Sequence, residues 1–391
     1  MRAAVTPVLL IAASLLFPPS SRASCPDTET AGTNETTTLA NPVWVTNLLA
    51  MVKGSEASND EEDNDEDTVP QPDTTISVRP GTTLEIENFG GSIDVKTWDK
   101  DQVKIAAEHS TRDRVMIVRT GSALQLKVKS HRWVPATIRY RIVAPRWMKL
   151  ELSGVNTDID VQDSRAEVRA ETVQGEISVR GATGFTSVSS VQGGILVQDV
   201  RGRVEASSVN ERVRLTNVIG SIYAESVNGG IAIEGAHSDS VEASTVNGPV
   251  SFEGVVADQG YYRFATHNGC IDVAMPEKSN ATLSVSTFSG GIDSSFPVTL
   301  KKVRSKRFQT TLGNGRARFE LESFQGTIFL RRPGEARAQC DDSGDEDNDS
   351  GDKVLTGHKV QIDKDKTDKV LKVKKVEKKS ADEDEDSGDE E

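Results

Sequence analysis

Between Val168 and Val273 apolar positions recur on two scales at once. Locally, Val168, Ala170 and Thr172 alternate with Arg169 and Glu171, and Ile177 and Val179 alternate with Glu176 and Ser178. Alternation with period two is the pattern of a strand with one wet face and one dry face. On the longer scale, Val173-Gln174-Gly175, Val191-Gln192-Gly193, Val209-Asn210-Glu211 and Val227-Asn228-Gly229 follow one another every 18 residues. Val246-Asn247-Gly248 and His267-Asn268-Gly269 continue the series at slightly longer steps. A fixed period of this size marks stacked repeats, each completing the core of its neighbour.

Aligning the units gives columns of like residues. One reads Ile177, Ile195, Val213, Ile231, Val250, Ile271, Ile292, and a hydroxyl column reads Thr172, Ser190, Ser208, Ser226, Thr245, Thr266, Thr287. A valine column, Val173, Val191, Val209, Val227 and Val246, is expected inside on account of its apolar character, with His267 as a packed substitution. The turn column reads Gln174, Gln192, Asn210, Asn228, Asn247, Asn268, Ser289. If each unit is one rung, columns repeat every ~4.8 Å, close enough for amides to hydrogen-bond along a ladder. The fold predicted is all-β: a parallel β-solenoid, or β-helix, with rungs of 18 to 21 residues.

The flanks of that series predict its limits. Leu84 to Val95 already fits the rung template, and the short strands that follow it, through Ile138–Ile142, form a β-rich N-terminal cap. Leu150 to Val161 is the first regular rung. Phe319–Leu321 and Thr327–Leu330 are expected as closing strands at the far end. The solenoid domain is therefore placed at residues 76–335. Residues 25–75 read as a disordered acidic linker and 341–391 as a disordered charged tail, because neither holds enough apolar surface to order itself. Within the linker, Val43 to Val52 is a short apolar island around Trp44, read as a transient helix, with docking of Trp44 on the body or a partner as the alternative.

Residues 1–24 carry Arg2, an apolar run from Ala3 to Phe17 and a small-residue cleavage site at Ser21-Arg22-Ala23, the layout of a signal peptide. The apolar run is too short for a transmembrane span. Lipidation at Cys25 is the alternative, against which Arg22 stands out of pattern. Either way the chain is expected outside the cytoplasm, in the periplasm, on the cell surface or secreted. Of the net charge of −14, the linker holds −11 and the tail −9, which leaves the solenoid about +4 once the signal is set aside. The acidic balance thus belongs to the tails, and no basic, aromatic-interleaved patch suggests nucleic acid. Cys25, Cys270 and Cys340 are an odd set whose pairing the sequence leaves open.

Candidate chemistry is sparse. Asn156-Thr157-Asp158 resembles a polygalacturonase motif, but the adjacent aspartates that family also needs occur only as Asp341-Asp342, and Gly357-His358-Lys359 stands in the tail too. Asp158 and Asp160 then read as solvated outward positions. The acids from Asp345 to Gly351 alternate as in a calcium loop, with the glycine one place late and Thr356 where a bidentate glutamate belongs. No catalytic, cofactor-binding or metal-ligating residue is expected.

Leu84-x-Ile-x-Asn-Phe-Gly-Gly-Ser-Ile-x-Val, Trp98, Val143-Ala144-Pro145 and the serial Asn-Gly-x-Ile turns resemble the putative adhesin family of bacterial envelope proteins, over roughly residues 75–330. That resemblance implies a domain of unknown function and, weakly, surface adhesion; no site residues come with it. The functional expectation is a non-enzymatic, adhesin-like envelope or surface protein that binds a protein or glycan partner. A polysaccharide-active β-helix enzyme is the alternative.

Overall fold

The computed structural model describes residues 68–340, apart from 112, 131–136, 300, 305 and 338–339. The signal peptide, Cys25, the Trp44 island and the tail lie outside the described residues. Within them there are strands and no helix, hence no helix long and apolar enough to cross a membrane.

The first strands are β1 (Thr68–Ser77), β2 (Thr83–Trp98), β3 (Gln102–Ser110), β4 (Asp113–Thr120), β5 (Ala123–Ser130) and β6 (Ile138–Pro145). Next come β7 (Lys149–Gln162), β8 (Val168–Gln174), β9 (Ile177–Arg180), β10 (Thr186–Gln192), β11 (Ile195–Gln198), β12 (Val204–Ser208), β13 (Val213–Thr216) and β14 (Ile222–Ser226). Then follow the long β15 (Ile231–Asn247) and β16 (Val250–Asn268), with β17 (Ile271–Ala274) after them. The chain closes with β18 (Ala281–Ser289), β19 (Ile292–Ser294), β20 (Lys301–Arg304), β21 (Arg307–Leu312), β22 (Ala317–Gln325) and β23 (Ile328–Arg331).

The rungs stack in parallel and in the register that the columns predict. Along one face Leu150, Val168, Thr186, Val204, Ile222 and Val241 are successive partners. Along the second face Ile159, Ile177, Ile195, Val213, Ile231, Val250 and Ile271 do the same. Isolated bridges joining Thr183, Arg201, Ile219 and His237 make a narrow third side. Val168, Ala170, Ile177 and Val179 are buried in the resulting core.

The period lengthens from 18 where the core changes content. Tyr262, Phe264 and Phe252 replace small aliphatics, with ring centroids 5.6 and 5.2 Å apart around Phe252. The Tyr262 hydroxyl donates to the Ser238 carbonyl at 2.7 Å and accepts from the Ala257 amide at 2.8 Å. A buried phenol is thereby satisfied by the extra residues of the longer coil.

At the N-terminal end β2 stacks on β7, Leu84 on Leu150 and Ile93 on Ile159, as the template match implies. β4 runs antiparallel to β5, and β3 antiparallel to β6, so the terminal rung does not present a bare parallel edge. β1 begins at Thr68 and pairs with β3, so a strand crosses the expected boundary between linker and body.

Two expectations need correction. The valine column lies on the outside: Val173, Val191, Val209, Val227 and Val246 are all only half-buried, whereas Thr172, Ser190, Ser208, Ser226 and Thr245 are buried. Strand parity explains this, since Val173 shares the side of Glu171. The interior of the corner holds turn carbonyls that need donors, and the hydroxyls supply them. Thr172 donates to the Thr157 carbonyl at 3.0 Å, Thr245 to Gly229 at 2.9 Å and Thr266 to Gly248 at 3.0 Å.

The other correction concerns the closing strands. β22 and β23 are not terminal rungs but are inserted between earlier ones. β22 pairs with β16 on one side and β18 on the other, and β23 with β17 and β19. The chain builds the last rung first, covers it with the antiparallel β21, then returns to fill the gap.

Candidate functional surface

The corner between the two faces carries two parallel outward rows. The first is the amide ladder expected from the turn column. Gln174 donates to Gln192 at 2.8 Å; Asn228 donates to Asn210, Asn247 to Asn228 and Asn268 to Asn247 at 2.9, 2.9 and 2.7 Å. In the asparagine run every donor points toward the preceding rung, so Asn228 and Asn247 each give and receive. Gln174 donates the opposite way, toward the following rung. Glycines behind the ladder allow close stacking: a Cβ on Gly193, at φ +155°, would lie 1.9 Å from the Gly175 carbonyl oxygen.

The second row is the displaced valine column, and register extends it in both directions. Phe89 and Val155 precede Val173; His267, Phe324 and Phe288 follow Val246. This gives an apolar ridge along the solenoid, with Phe89 at 43%, Phe324 at 39% and Phe288 at 57% exposure. At the C-terminal end its rings stack nearly parallel. His267 and Phe324 lie 4.5 Å apart, Phe324 and Phe288 4.7 Å, with interplanar angles of 5° and 3°. Lys306 closes the stack, its Nζ 3.3 Å from the Phe288 ring centre and donating to the Phe288 carbonyl at 2.6 Å. Sequence reasoning missed this stack, although each aromatic stands in the slot before Asn-Gly, Gln-Gly or Ser-Gly that valine fills elsewhere.

Polar groups on the first face engage one another. The Tyr223 hydroxyl donates to Glu225. Burial pushes the Glu225 carboxyl above its ordinary range; the Tyr223 bond pulls it back in part, and Glu242 adds to the rise.

The second face is crossed by the segment after β23. Arg331, 5% exposed, donates from Nε to both Asp272 oxygens at 2.9 and 3.0 Å and from Nη2 to Glu253 at 2.9 Å. Burial acts to raise the Glu253 carboxyl, but the Arg331 bond and charge outweigh it and hold it below the usual range. Cys270 and Cys340 form a disulfide, which resolves the pairing for these two cysteines. None of this network was legible as a site, because its members are remote in sequence.

The enzyme-like motif is spread by the fold. Asn156 falls on the exposed amide column; Thr157 is buried. The exposed Asp158 accepts from the Glu176 amide at 2.9 Å, and Asp160 accepts from Gln162 at 2.5 Å. Both aspartates thus act within the rungs as acceptors. Among the described residues no three His, Cys, Asp or Glu side chains are grouped to hold a metal.

Comparison with known proteins adds the family. Among curated proteins none matches the chain. Among solved structures, one described as a putative cell adhesion protein from Clostridium sporogenes is 9% identical, covers 68% of this chain and 100% of its own, with a TM-score of 0.19. Another, a putative adhesin from Bacteroides fragilis, is 10% identical, covers 67% of this chain and 96% of its own, with a TM-score of 0.32. The profile named Toastrack DUF4097, a domain of unknown function, matches residues 82–331. That span takes in the rungs from β2 to β23, and the chain belongs to the Toastrack DUF4097 family.

Proposed function

We propose that the chain is an exported, non-enzymatic β-solenoid that serves as an adhesin-like binding element of the cell envelope or surface. The observation that carries this reading is the corner ridge. Ordinary strand parity puts polar residues outside, yet here one outward column from Phe89 to Phe288 is made of valines and aromatic rings, His267 among them. Contiguous exposed apolar surface on a soluble fold marks an interaction site more often than chance. The adjacent amide ladder supplies hydrogen-bonding groups at rung spacing, so the corner offers an extended partner a repeating apolar and polar edge. The Cys270–Cys340 disulfide supports an oxidising compartment. The partner's class, protein or glycan, follows from the test.

The test uses the full chain without its leader against isolated envelope fractions and a panel of purified glycans. Binding that is lost when Val209, Val227 and Phe324 are changed together to Ser, with the β circular dichroism unchanged, supports the ridge. Reproducible cleavage of a glycan, abolished by Asp158→Ala, would replace this reading with an enzymatic one.

A further inference from the structure

The N-terminal cap ends in two strands of unlike character. β1 closes the second face, where Pro70 and Pro72 lack amide donors and the register shifts between Gln71 and Thr74. Prolines and bulges are devices that keep an edge strand from pairing with another chain. β4 closes the first face with neither. It holds no proline and matches β5 in unbroken register from Asp113 to Thr120. Among the described residues β5 is its one strand partner. At the far end the outermost strands, β19 and β20, have only three and four residues.

Backbone parity shows what the β4 edge offers. The Thr83 amide donates to the Ser122 carbonyl at 2.8 Å, so even-numbered residues of β5 turn their backbone groups toward β2. The odd-numbered ones then bond β4, and their partners there are Arg114, Met116, Val118 and Thr120. Asp113, Val115, Ile117 and Arg119 are left with N–H and C=O directed away from β5, toward the place of a further strand.

The side chains of the same four residues say which strand. Asp113 is 4% exposed, and neither carboxylate oxygen has a hydrogen-bond partner. Val115 is buried and Ile117 half-buried. Arg119 is exposed, and its Nη2 donates to a neutral group, the Ser77 carbonyl, at 2.7 Å. The series therefore reads acid, apolar, apolar, base. Turned by a two-fold axis through Met116, it meets itself with Asp113 beside Arg119 and Val115 beside Ile117, each pair ~5 Å apart at Cβ. An axis through Val115 would set Asp113 against Ile117, and one through Ile117 would set Arg119 against Val115. Only the Met116 axis joins opposite charges and keeps the apolar pair together.

We propose that two copies of the chain pair β4 against β4 in antiparallel sense, with Met116 on the two-fold axis and Asp113 of each copy bonded to Arg119 of the other. The second copy supplies the counter-charge that the buried carboxylate lacks, and the first-face sheet runs on from one solenoid into the other. The pairing stands on the cap alone and does not depend on what the corner ridge binds.

The experiment uses the full chain without its leader. Sedimentation velocity over a series of protein concentrations is expected to show a monomer–dimer equilibrium. Ile117→Pro removes an outward amide and spares the bonds to β5, so it should leave monomer with the β circular dichroism unchanged. Arg119→Glu, at an exposed position, should weaken the dimer by about tenfold or more, because two like-charge contacts replace two attractive ones. Asp113→Lys should do the same. Mixing these two variants should restore a dimer, since in the mixed pair both contacts join opposite charges; a role confined to the fold of one chain gives no such rescue. Cysteines read the register. With Cys25→Ser, Met116→Cys should form an interchain disulfide under mild oxidation, because the Cα separation of ~4.5 Å at a non-bonded antiparallel pair is within disulfide reach. Val118→Cys, which would lie opposite Arg114, should not. A parent that stays monomeric at every concentration overturns the proposal. So does a dimer that survives both Ile117→Pro and Arg119→Glu, or one that Val118→Cys links as readily as Met116→Cys.

Discussion

Arg331 grips Asp272 by donating from Nε to both carboxylate oxygens, at 2.9 and 3.0 Å, across adjacent rungs of the second face. The two side chains are 5% and 2% exposed. Removing Asp272 takes away the buried carboxylate of this pair and leaves the Arg331 guanidinium with only the partly exposed Glu253 as counter-charge, a loss toward the lower end of the roughly 3–5 kcal/mol for breaking a buried pair. Asp272→Ala is therefore expected to lower the urea midpoint sharply. The double change Asp272→Leu with Arg331→Met should be milder, since the only charge that loses its partner is Glu253, which is 35% exposed. A double variant as unstable as Asp272→Ala would show that the pair itself, and not the orphaned charge, sets the cost.

Two glutamates should respond oppositely to pH. Glu253 is held below the ordinary range, so its contribution is present above its unfolded value of ~4.3 and is lost as pH falls through the lower folded value. Glu253→Gln is expected to be less stable than the parent at pH 7, with the gap closing in acid. Glu225 is raised mainly by burial, so its charged form costs stability at neutral pH and the cost vanishes below ~4.3. Glu225→Gln should be more stable than the parent at pH 7, and the gain should shrink toward pH 4. Denaturation series at the two pH values check both signs.

The corner columns predict a contrast between neighbouring valines. Val209 is half-exposed and Val213 fully buried. Val209→Asp should change stability by no more than about 1 kcal/mol, the usual range for surface positions. Val213→Asp strands a charge between rungs and should cost several kcal/mol, on the order expected for an unpaired buried group. Similar thermal midpoints for the two variants would contradict the parity assignment.

The hydroxyl column predicts a smaller effect. Thr245→Val keeps the shape but removes the bond to the Gly229 carbonyl at 2.9 Å. The loss should be ~0.5–1.5 kcal/mol, rising if that carbonyl finds no other donor. Urea unfolding resolves a change of this size.

Gly193 tests the close approach of rungs. Its Cβ would meet the Gly175 carbonyl oxygen at 1.9 Å, and its φ is +155°. Gly193→Ala must separate two rungs or twist the turn, so it should destabilise well beyond the ~1 kcal/mol typical of a point change. Gly194→Ala, whose Cβ meets nothing nearer than 3.9 Å, is the control and should be near neutral.

The sequence by itself determined the rungs, their register and the amide ladder. A period of 18 with period-two alternation inside it leaves one stacking that puts Ile177 on Ile195 and Asn228 on Asn210. It did not settle the corner: valine suggests an interior and serine a surface, and only the inward turn carbonyls, which the hydroxyls must satisfy, reverse that ranking. Nor did it settle the order of the last rungs. β22 matches the columns of β16 and β18 equally well, so pattern cannot say whether it ends the stack or fills a gap within it. The tertiary structure decides, because β21 already covers the far side of β18. The Arg331–Asp272 pair, 59 residues apart in sequence, and the Cys270–Cys340 bridge exist only because that late insertion brings β23 beside β17. Contacts between distant segments leave no local signal; periodic contacts repeat theirs at every rung.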